Sequence, residues 1–255
     1  LPSSGTVYDI VVQADGKIFI GGILNIALPT FARLNADGTR DLTFNPAQPV
    51  GTVRRVIVQP DGKLLVGGAF STISDIGTRH SVTRYNADGV LDNSFVPPVG
   101  NPFVVDMALQ ADGKIVQCGH EVRRLNSNGT LDASINYFAN AEVDAVDIQP
   151  DGKIIAGGGF SVIGEFHKNG IARFNQNGTL DNGFTTYANR DVFDIQVQPD
   201  SKILIGGAFT KLTGVPRVRV ARLLNTSVSA SKPFDFDGDG KADISVFRPS
   251  ENRWY

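Results

Sequence analysis

The sequence predicts an all-β chain assembled from repeated antiparallel units, and three observations carry that prediction. The hexapeptide Gln13-Ala14-Asp15-Gly16-Lys17-Ile18 returns at Gln59 to Leu64, Gln110 to Ile115, Gln149 to Ile154 and Gln198 to Ile203, the last with Ser201 in place of glycine. The spacings are 46, 51, 39 and 49 residues, within the range of repeat architectures. Short runs of β-branched and apolar residues alternate with turn residues, and no segment shows a helical apolar period.

In the first unit, Val7 to Gln13 reads as a strand and Asp15-Gly16 as a tight turn whose glycine tolerates positive φ. Pro60, Pro150 and Pro199 precede the aspartate in later copies, which suits a type I turn ending in a left-handed residue. Lys17 to Ile20 is the second strand, closed by Gly21-Gly22. Phe31 to Leu34 is the third, Asn35-Ala36-Asp37-Gly38 the second turn, and Asp41 to Phe44 a short fourth strand. The third strand returns at Val82 to Tyr85, Val122 to Leu125, Ile171 to Phe174 and Val220 to Leu223. The fourth returns at Leu91 to Phe95, Leu131 to Ile135 and Leu180 to Phe184. Four short antiparallel strands in such a length make one blade of a β-propeller. A lone blade leaves its faces bare, and stacking blades around an axis buries them. A linear β-solenoid is the competing architecture, but its coils run parallel whereas these tight turns demand antiparallel neighbours. The expected blades cover residues 7–52, 53–102, 103–142, 143–191 and 192–228, their innermost strands opening at Val7, Val53, Val104, Val143 and Val192.

The patterns Gln-x-Asp-Gly-Lys-Ile-x-x-Gly-Gly and Ala-Arg-Leu-Asn-x-Asp-Gly-Thr-x-Asp-x-x-Phe resemble the delta-60 repeat β-propeller of bacterial secreted and surface proteins over about residues 7 to 228. The resemblance implies a large extracellular or envelope protein and supplies no catalytic residue. The third copy departs from it with Cys118-Gly119 and Ile135, and the fifth lacks the Asp-x-x-Phe strand after Asn225. Leu1 to Thr6 aligns with the linker Pro46 to Thr52, which follows a fourth strand, so either the ring is expected to close by borrowing a strand elsewhere or further blades precede Leu1 in a parent protein.

Composition shifts at a short polar linker, residues 229–233, before Asp235-Phe236-Asp237-Gly238-Asp239-Gly240-Lys241-Ala242-Asp243. Oxygens at alternating positions of such a loop can wrap one hard cation, with Gly240 permitting the sharp turn. Val246 stands where an EF-hand places glutamate, and the flanks read as strands. With Ile244 to Pro249 the segment resembles an FG-GAP/VCBS repeat, of which residues 234–255 would be the start. That resemblance implies calcium held by Asp235, Asp237, Asp239, Asp243 and the carbonyl of Lys241; an acidic surface turn without metal is the alternative.

With 24 basic and 26 acidic residues and a net charge of −2, the chain has no electrostatic footprint for nucleic acid or an anionic membrane. No apolar run reaches membrane-spanning length, so no membrane insertion is expected. Cys118, the single cysteine, reads as a small buried hydrophobe on a strand. Arg33, Arg84, Arg124, Arg173 and Arg222 recur, four of them followed at fixed spacing by Asp41, Asp92, Asp132 and Asp181; these pairs read as a structural contact in each blade. Asp9, Arg55, Asp106, Ala145 and Asp194 hold equivalent places on the innermost strands, where they would form a polar ring at a channel mouth, or else a solvated lining or structural ion pairs. His80, His120 and His167 fall in the second-to-third strand loops, as metal ligands brought together by neighbouring blades or as unrelated surface residues. These loops vary in length, being almost absent at His120-Glu121, where a notch is expected, and variable loops on a rigid scaffold are where binding usually sits.

No nucleophile–base motif or phosphate loop is present. The expected function is therefore a non-catalytic extracellular binding or scaffold module of a bacterial surface or secreted protein, meeting a protein or carbohydrate partner at the variable loops. The alternatives are a structural subunit of a surface layer, fibre or larger assembly, and a lyase or hydrolase with its site on the loop face.

Overall fold

Turn chemistry and apolar alternation fold each repeat into its own sheet. The computed structural model describes residues 5–23, 29–74, 77–78, 81–98 and 103–224, and the backbone of 247–248 and 253–254. Within the described residues there is no helix, and the five repeats give five antiparallel sheets. Blade one comprises Thr6–Val12, Ile18–Ile23 and Phe31–Leu34; blade two Pro49–Val58, Leu64–Ile73 and Val82–Tyr85. Blade three comprises Asp106–Leu109, Ile115–Cys118, Glu121–Leu125 and Leu131–Phe138. Blade four comprises Val143–Ile148, Ile154–Gly158 and Ile171–Phe174; blade five Val192–Val197, Ile203–Gly207 and Val220–Leu223.

The first turn forms as its sequence requires. Gly62 sits at φ 82° and its amide donates to the Gln59 carbonyl at 2.9 Å. Ser201, in the glycine's place, still adopts φ 65°. The innermost strand then carries a bulge that slips its register between Val7 and Asp9, Val53 and Arg55, Val143 and Ala145, and Val192 and Asp194.

The expected fourth strand is a real strand only in blade three, where it runs beyond Ile135 to Phe138. In blades one, two and four the segment makes a single bridge, Leu34 to Arg40, Tyr85 to Leu91 and Phe174 to Leu180, and then turns. The turn is closed by the phenylalanine amide, which donates back to the aspartate carbonyl at 3.3 Å for Phe44, 3.2 Å for Phe95 and 3.1 Å for Phe184. Asp132 Oδ1 holds the Ser134 amide just as Asp92 Oδ1 holds that of Ser94, but blade three absorbs the turn as a bulge between Arg123 and Arg124 and pairs again at Asn136.

The other carboxylate oxygen anchors the blade. Asp92 Oδ2 accepts from Lys63 Nζ at 2.7 Å and Arg84 Nε at 2.9 Å. The same triad joins Lys17, Arg33 and Asp41, Lys114, Arg124 and Asp132, and Lys153, Arg173 and Asp181. The expected arginine–carboxylate contact is thus present in four blades, with the lysine of the first turn added to it. Burial resists ionisation of Asp92, but hydrogen bonds from Lys63 and Ser94 outweigh it and hold the carboxyl well below its usual range. In blade five Lys202 turns back to Asp200 at 3.5 Å.

The blades are joined by three kinds of contact. On the turn side, the arginines of blades one, two and four lie over the phenylalanine that follows their aspartate, as with Arg84 at 4.8 Å from the Phe95 centroid. Arg84 Nη1 then donates to the Ser127 carbonyl in the next blade's turn at 2.6 Å, and Arg124 Nη1 to that of Gln176 at 2.6 Å. Toward the axis, a glycine of one blade receives two apolar side chains of the next: a Cβ on Gly21 would stand 2.5 Å from Val53, and one on Gly157 2.7 Å from both Val192 and Ile195. Blade three uses Cys118, buried among Val143, Val146 and Ala108, at the glycine's position, as its reading as a buried hydrophobe anticipated. The third contact is polar: Asp9 Oδ2 accepts from the Val56 amide at 2.7 Å and Asp106 Oδ2 from that of Val146 at 3.0 Å.

Asp92→Ala removes the anion between two cations, one of them buried, and lets the Asx turn open. The expected cost is about 3 kcal/mol, read as a lower midpoint at unchanged slope in equilibrium urea unfolding.

Candidate functional site

The residues expected to hold calcium, Asp235, Asp237, Asp239, Lys241 and Asp243, lie outside the described residues, as does His80. Beyond them Phe247 pairs with Trp254 and Arg248 with Arg253, a short antiparallel ladder. His120 is exposed, with its ring edge against Phe103 at 4.9 Å, and exposed His167 belongs to a small hairpin in blade four. Among the described residues no three His, Cys, Asp or Glu side chains gather as a metal site.

The second-to-third strand loops of blades four and five are folded into hairpins. In blade four Val162–Ile163 pairs with Phe166–His167, and in blade five Lys211–Leu212 pairs with Val215–Pro216. Each hairpin is pinned to the linker before its blade. Asn140 Oδ1 accepts the amides of Ser161 and Val162 at 2.9 Å, and Asn189 Oδ1 those of Thr210 and Lys211 at 2.9 and 2.8 Å. The notch expected at the short third loop is occupied: Phe138 pairs with Glu121, and the Ala139 amide donates to the His120 carbonyl at 3.0 Å.

Part of the polar ring assembles. Arg55 Nε lies 3.0 Å from Asp106 Oδ1 and its Nη1 3.6 Å from Asp9 Oδ1. Where Ala145 supplies no charge, Asp147 two residues on takes the role and accepts the Val197 amide at 2.6 Å. Burial pushes Asp106 up, opposed by Arg55, with Asp194 adding to the rise. These carboxylates therefore serve the junctions between blades.

The cavity that sequence reasoning missed lies on the opposite face, among the first turns. It spans blades two to five, measures about 1080 Å³, and is lined by Gln59, Gln110, Gln149 and Gln198 of the repeated motif. Leu109, Ile148 and Val197, the last residues of the innermost strands, give it an apolar floor; Asp61 and Asp151 stand at its rim. Gln110 is engaged, donating to the Gly152 carbonyl at 3.4 Å and accepting from Arg124 Nη1 at 3.3 Å. The Oε1 atoms of Gln59, a buried residue, and Gln198 accept no hydrogen bond. A buried amide oxygen left without a donor carries a desolvation cost that a ligand donor would offset. The signal for this site was in the motif itself: a glutamine at one place in five turns must converge when those turns ring an axis.

At the loop-face end of the innermost strands, Asp144 is pushed up to about 6, first by burial and then by Glu142 and Asp191, with Arg54 opposing. A carboxyl whose folded value exceeds its unfolded value near 3.9 stabilises the fold below the unfolded value and loses that contribution as pH rises through about 6. Asp144→Asn is expected to flatten the fall in Tm between about pH 4 and 7, measured by thermal circular dichroism across buffers.

The chain is similar in fold to several solved propellers. The extracellular domain of BT4673 from B. thetaiotaomicron superposes with a TM-score of 0.54 at 15% identity, covering 87% of this chain and 28% of that one. A protein of unknown function from Bacteroides caccae gives 0.55 at 12% identity, covering 86% and 82%. Streptogramin B lyase gives 0.53 at 14%, covering 86% and 69%. The chain thus spans little more than a quarter of the BT4673 domain. No curated protein matches it. The family model described as "Domain of unknown function (DUF5122) beta-propeller" matches residues 13–44, 59–95, 110–134, 149–184 and 198–227, well over half of the sequence, and the chain belongs to that family.

Proposed function

We propose that the protein is a non-catalytic binding module of an extracellular or cell-surface bacterial protein, in keeping with its resemblance to delta-60 repeats, and that it takes up a carbohydrate. The turn-face cavity carries this reading. Its floor is apolar and its walls are carboxamides, which suit the C–H face and the hydroxyls of a sugar. The extracellular setting is supported by the fold's likeness to the BT4673 extracellular domain. Calorimetry with maltohexaose, cellohexaose and chitotetraose should show binding of at least one. Gln59→Leu should weaken it about tenfold, the worth of one hydrogen bond. Heat from none of the three, or equal affinity in the variant, would count against the cavity.

A second reading, a protein partner at the loop face, is favoured by the pinned hairpins of blades four and five, which hold exposed Glu165 and His167, and Lys211 and Thr213, on a prearranged surface. Calcium at Asp235, Asp237, Asp239, Asp243 and the Lys241 carbonyl is part of the same proposal, resting on the Asp-x-Asp-x-Asp-Gly pattern. Calcium titration of the full chain should release heat that Asp237→Ala abolishes, and silence in both would remove the ion.

A further inference from the structure

Each first turn carries an anion and, two residues on, a cation: Asp61 and Lys63 in blade two, Asp151 and Lys153 in blade four. The fold separates them. Lys63 is drawn back into its blade to Asp92 at 2.7 Å, and Lys153 to Asp181 at 3.0 Å. Asp61 and Asp151 stay exposed at the rim of the turn-face cavity. One oxygen of each caps its own turn, accepting the amide of Lys63 or Lys153 at 3.1 Å. That task needs no charge: in the second turns Asn128 and Asn177 accept the amides of Thr130 and Thr179, also at 3.1 Å. The second oxygen of each aspartate has no partner among the described residues. Arg84 also lines the cavity, but it is buried and its donors are committed to Asp92 at 2.9 Å and the Ser127 carbonyl at 2.6 Å. Two residues before Asp61, Gln59 lines the same cavity, 8% exposed, and its Oε1 accepts no hydrogen bond. The cavity therefore presents a buried acceptor without a donor and two carboxylates at its mouth. That set is the complement of an ammonium group, which has three donors and no acceptor.

We propose that the cavity takes an amino sugar, a glucosamine-type unit whose protonated amine is met by Gln59 Oε1 and the carboxylates of Asp61 and Asp151. The proposal rests on the cavity being a carbohydrate site and adds the charge of the ligand to that reading. The rim carboxylates draw the cation towards the mouth. Inside, its N–H groups supply the donor that Gln59 lacks. The apolar floor of Leu109, Ile148 and Val197 receives the C–H face of the ring. N-acetylation of the same sugar removes the charge, leaves a single N–H, and brings a carbonyl oxygen towards carboxylates and an amide oxygen that have nothing to donate to it. The cavity thus selects the free amine both by attraction and by repelling its acetylated twin.

Calorimetry on the full chain at about pH 6, where the sugar amines carry protons, compares the glucosamine tetramer with chitotetraose, its N-acetylated twin. The tetramer should bind about tenfold more tightly, the worth of one charge-assisted hydrogen bond. Asp61→Asn combined with Asp151→Asn should bring the two sugars to equal affinity at an unchanged melting point, since asparagine caps the second turns in the same way. Tetralysine, which has ammonium groups but no sugar face, should bind more weakly than the tetramer. Equal affinity of the two sugars for the wild type overturns the charge preference and leaves the carbohydrate site standing, whereas heat from neither overturns both. A preference for the amine that survives in the double variant overturns the role of the rim. Tetralysine bound as tightly as the tetramer overturns the sugar and makes the cavity a receiver of basic peptides.

Discussion

The fold turns on one carboxylate used from both sides. Asp41, Asp92, Asp132 and Asp181 each bond a lysine from the first turn and an arginine from the third strand through one oxygen. In all four the other oxygen accepts an amide two residues on, from Thr43, Ser94, Ser134 or Gly183. The ion cluster fixes how the second strand, the third strand and the following segment sit together. The arginine, held by the aspartate, is then aimed at the following phenylalanine in blades one, two and four, and at the next blade's turn carbonyl from blades two and three. A contact inside a blade thereby sets the geometry between blades. Hydrogen bonds and two cations offset the desolvation of one anion, which makes a partly buried cluster tolerable.

Closer to the axis the bond between blades is apolar, and here small side chains decide. A glycine opposite the innermost strand lets the next blade's valine and its partner approach to contact, and Cys118 shows how little the site can grow, admitting a thiol beside the shorter Val146. Such nearest-neighbour burial gives each blade stability only through its neighbours, as in other repeat arrays. The acidic groups on the innermost strands complete the seam. Bulges free amides at Val56 and Val146, where the blade's own residue is arginine or alanine, and the aspartate of the preceding blade accepts them.

Much of this was legible from the repeat. The strands, first turns, blade order and arginine–aspartate pairing follow from residue types at recurring positions, because backbone conformation and burial are local consequences of them. The fourth strand was misread for a local reason: Asp-x-x-Phe has the look of a strand, but in three blades the phenylalanine amide donates back to the aspartate carbonyl and closes a turn. The lysine of the triad was hidden because Lys63 and Asp92 meet only through the fold, 29 residues apart. Loop length carried no sign of the pinning, because Asn140 and Asn189, which fix the loops of blades four and five, resemble ordinary linker residues in the sequence.

The location of the cavity follows from the same economy of parts. The main chain of the motif glutamine closes the first turn, Gln59 accepting the Gly62 amide and donating to the Lys63 carbonyl, so the turn itself makes no demand on its side chain. Between blades three and four the amide bridges to Gly152, which ties it into the frame. Gln59 and Gln198 flank that bridge with amide oxygens that are shielded from water yet have no donor. A repeat that needs glutamine for its frame at one junction therefore sets further copies of the same group around an axis. Those copies present hydrogen-bonding capacity at a rigid spacing fixed by the blades, which loops of unequal length on the other face do not provide.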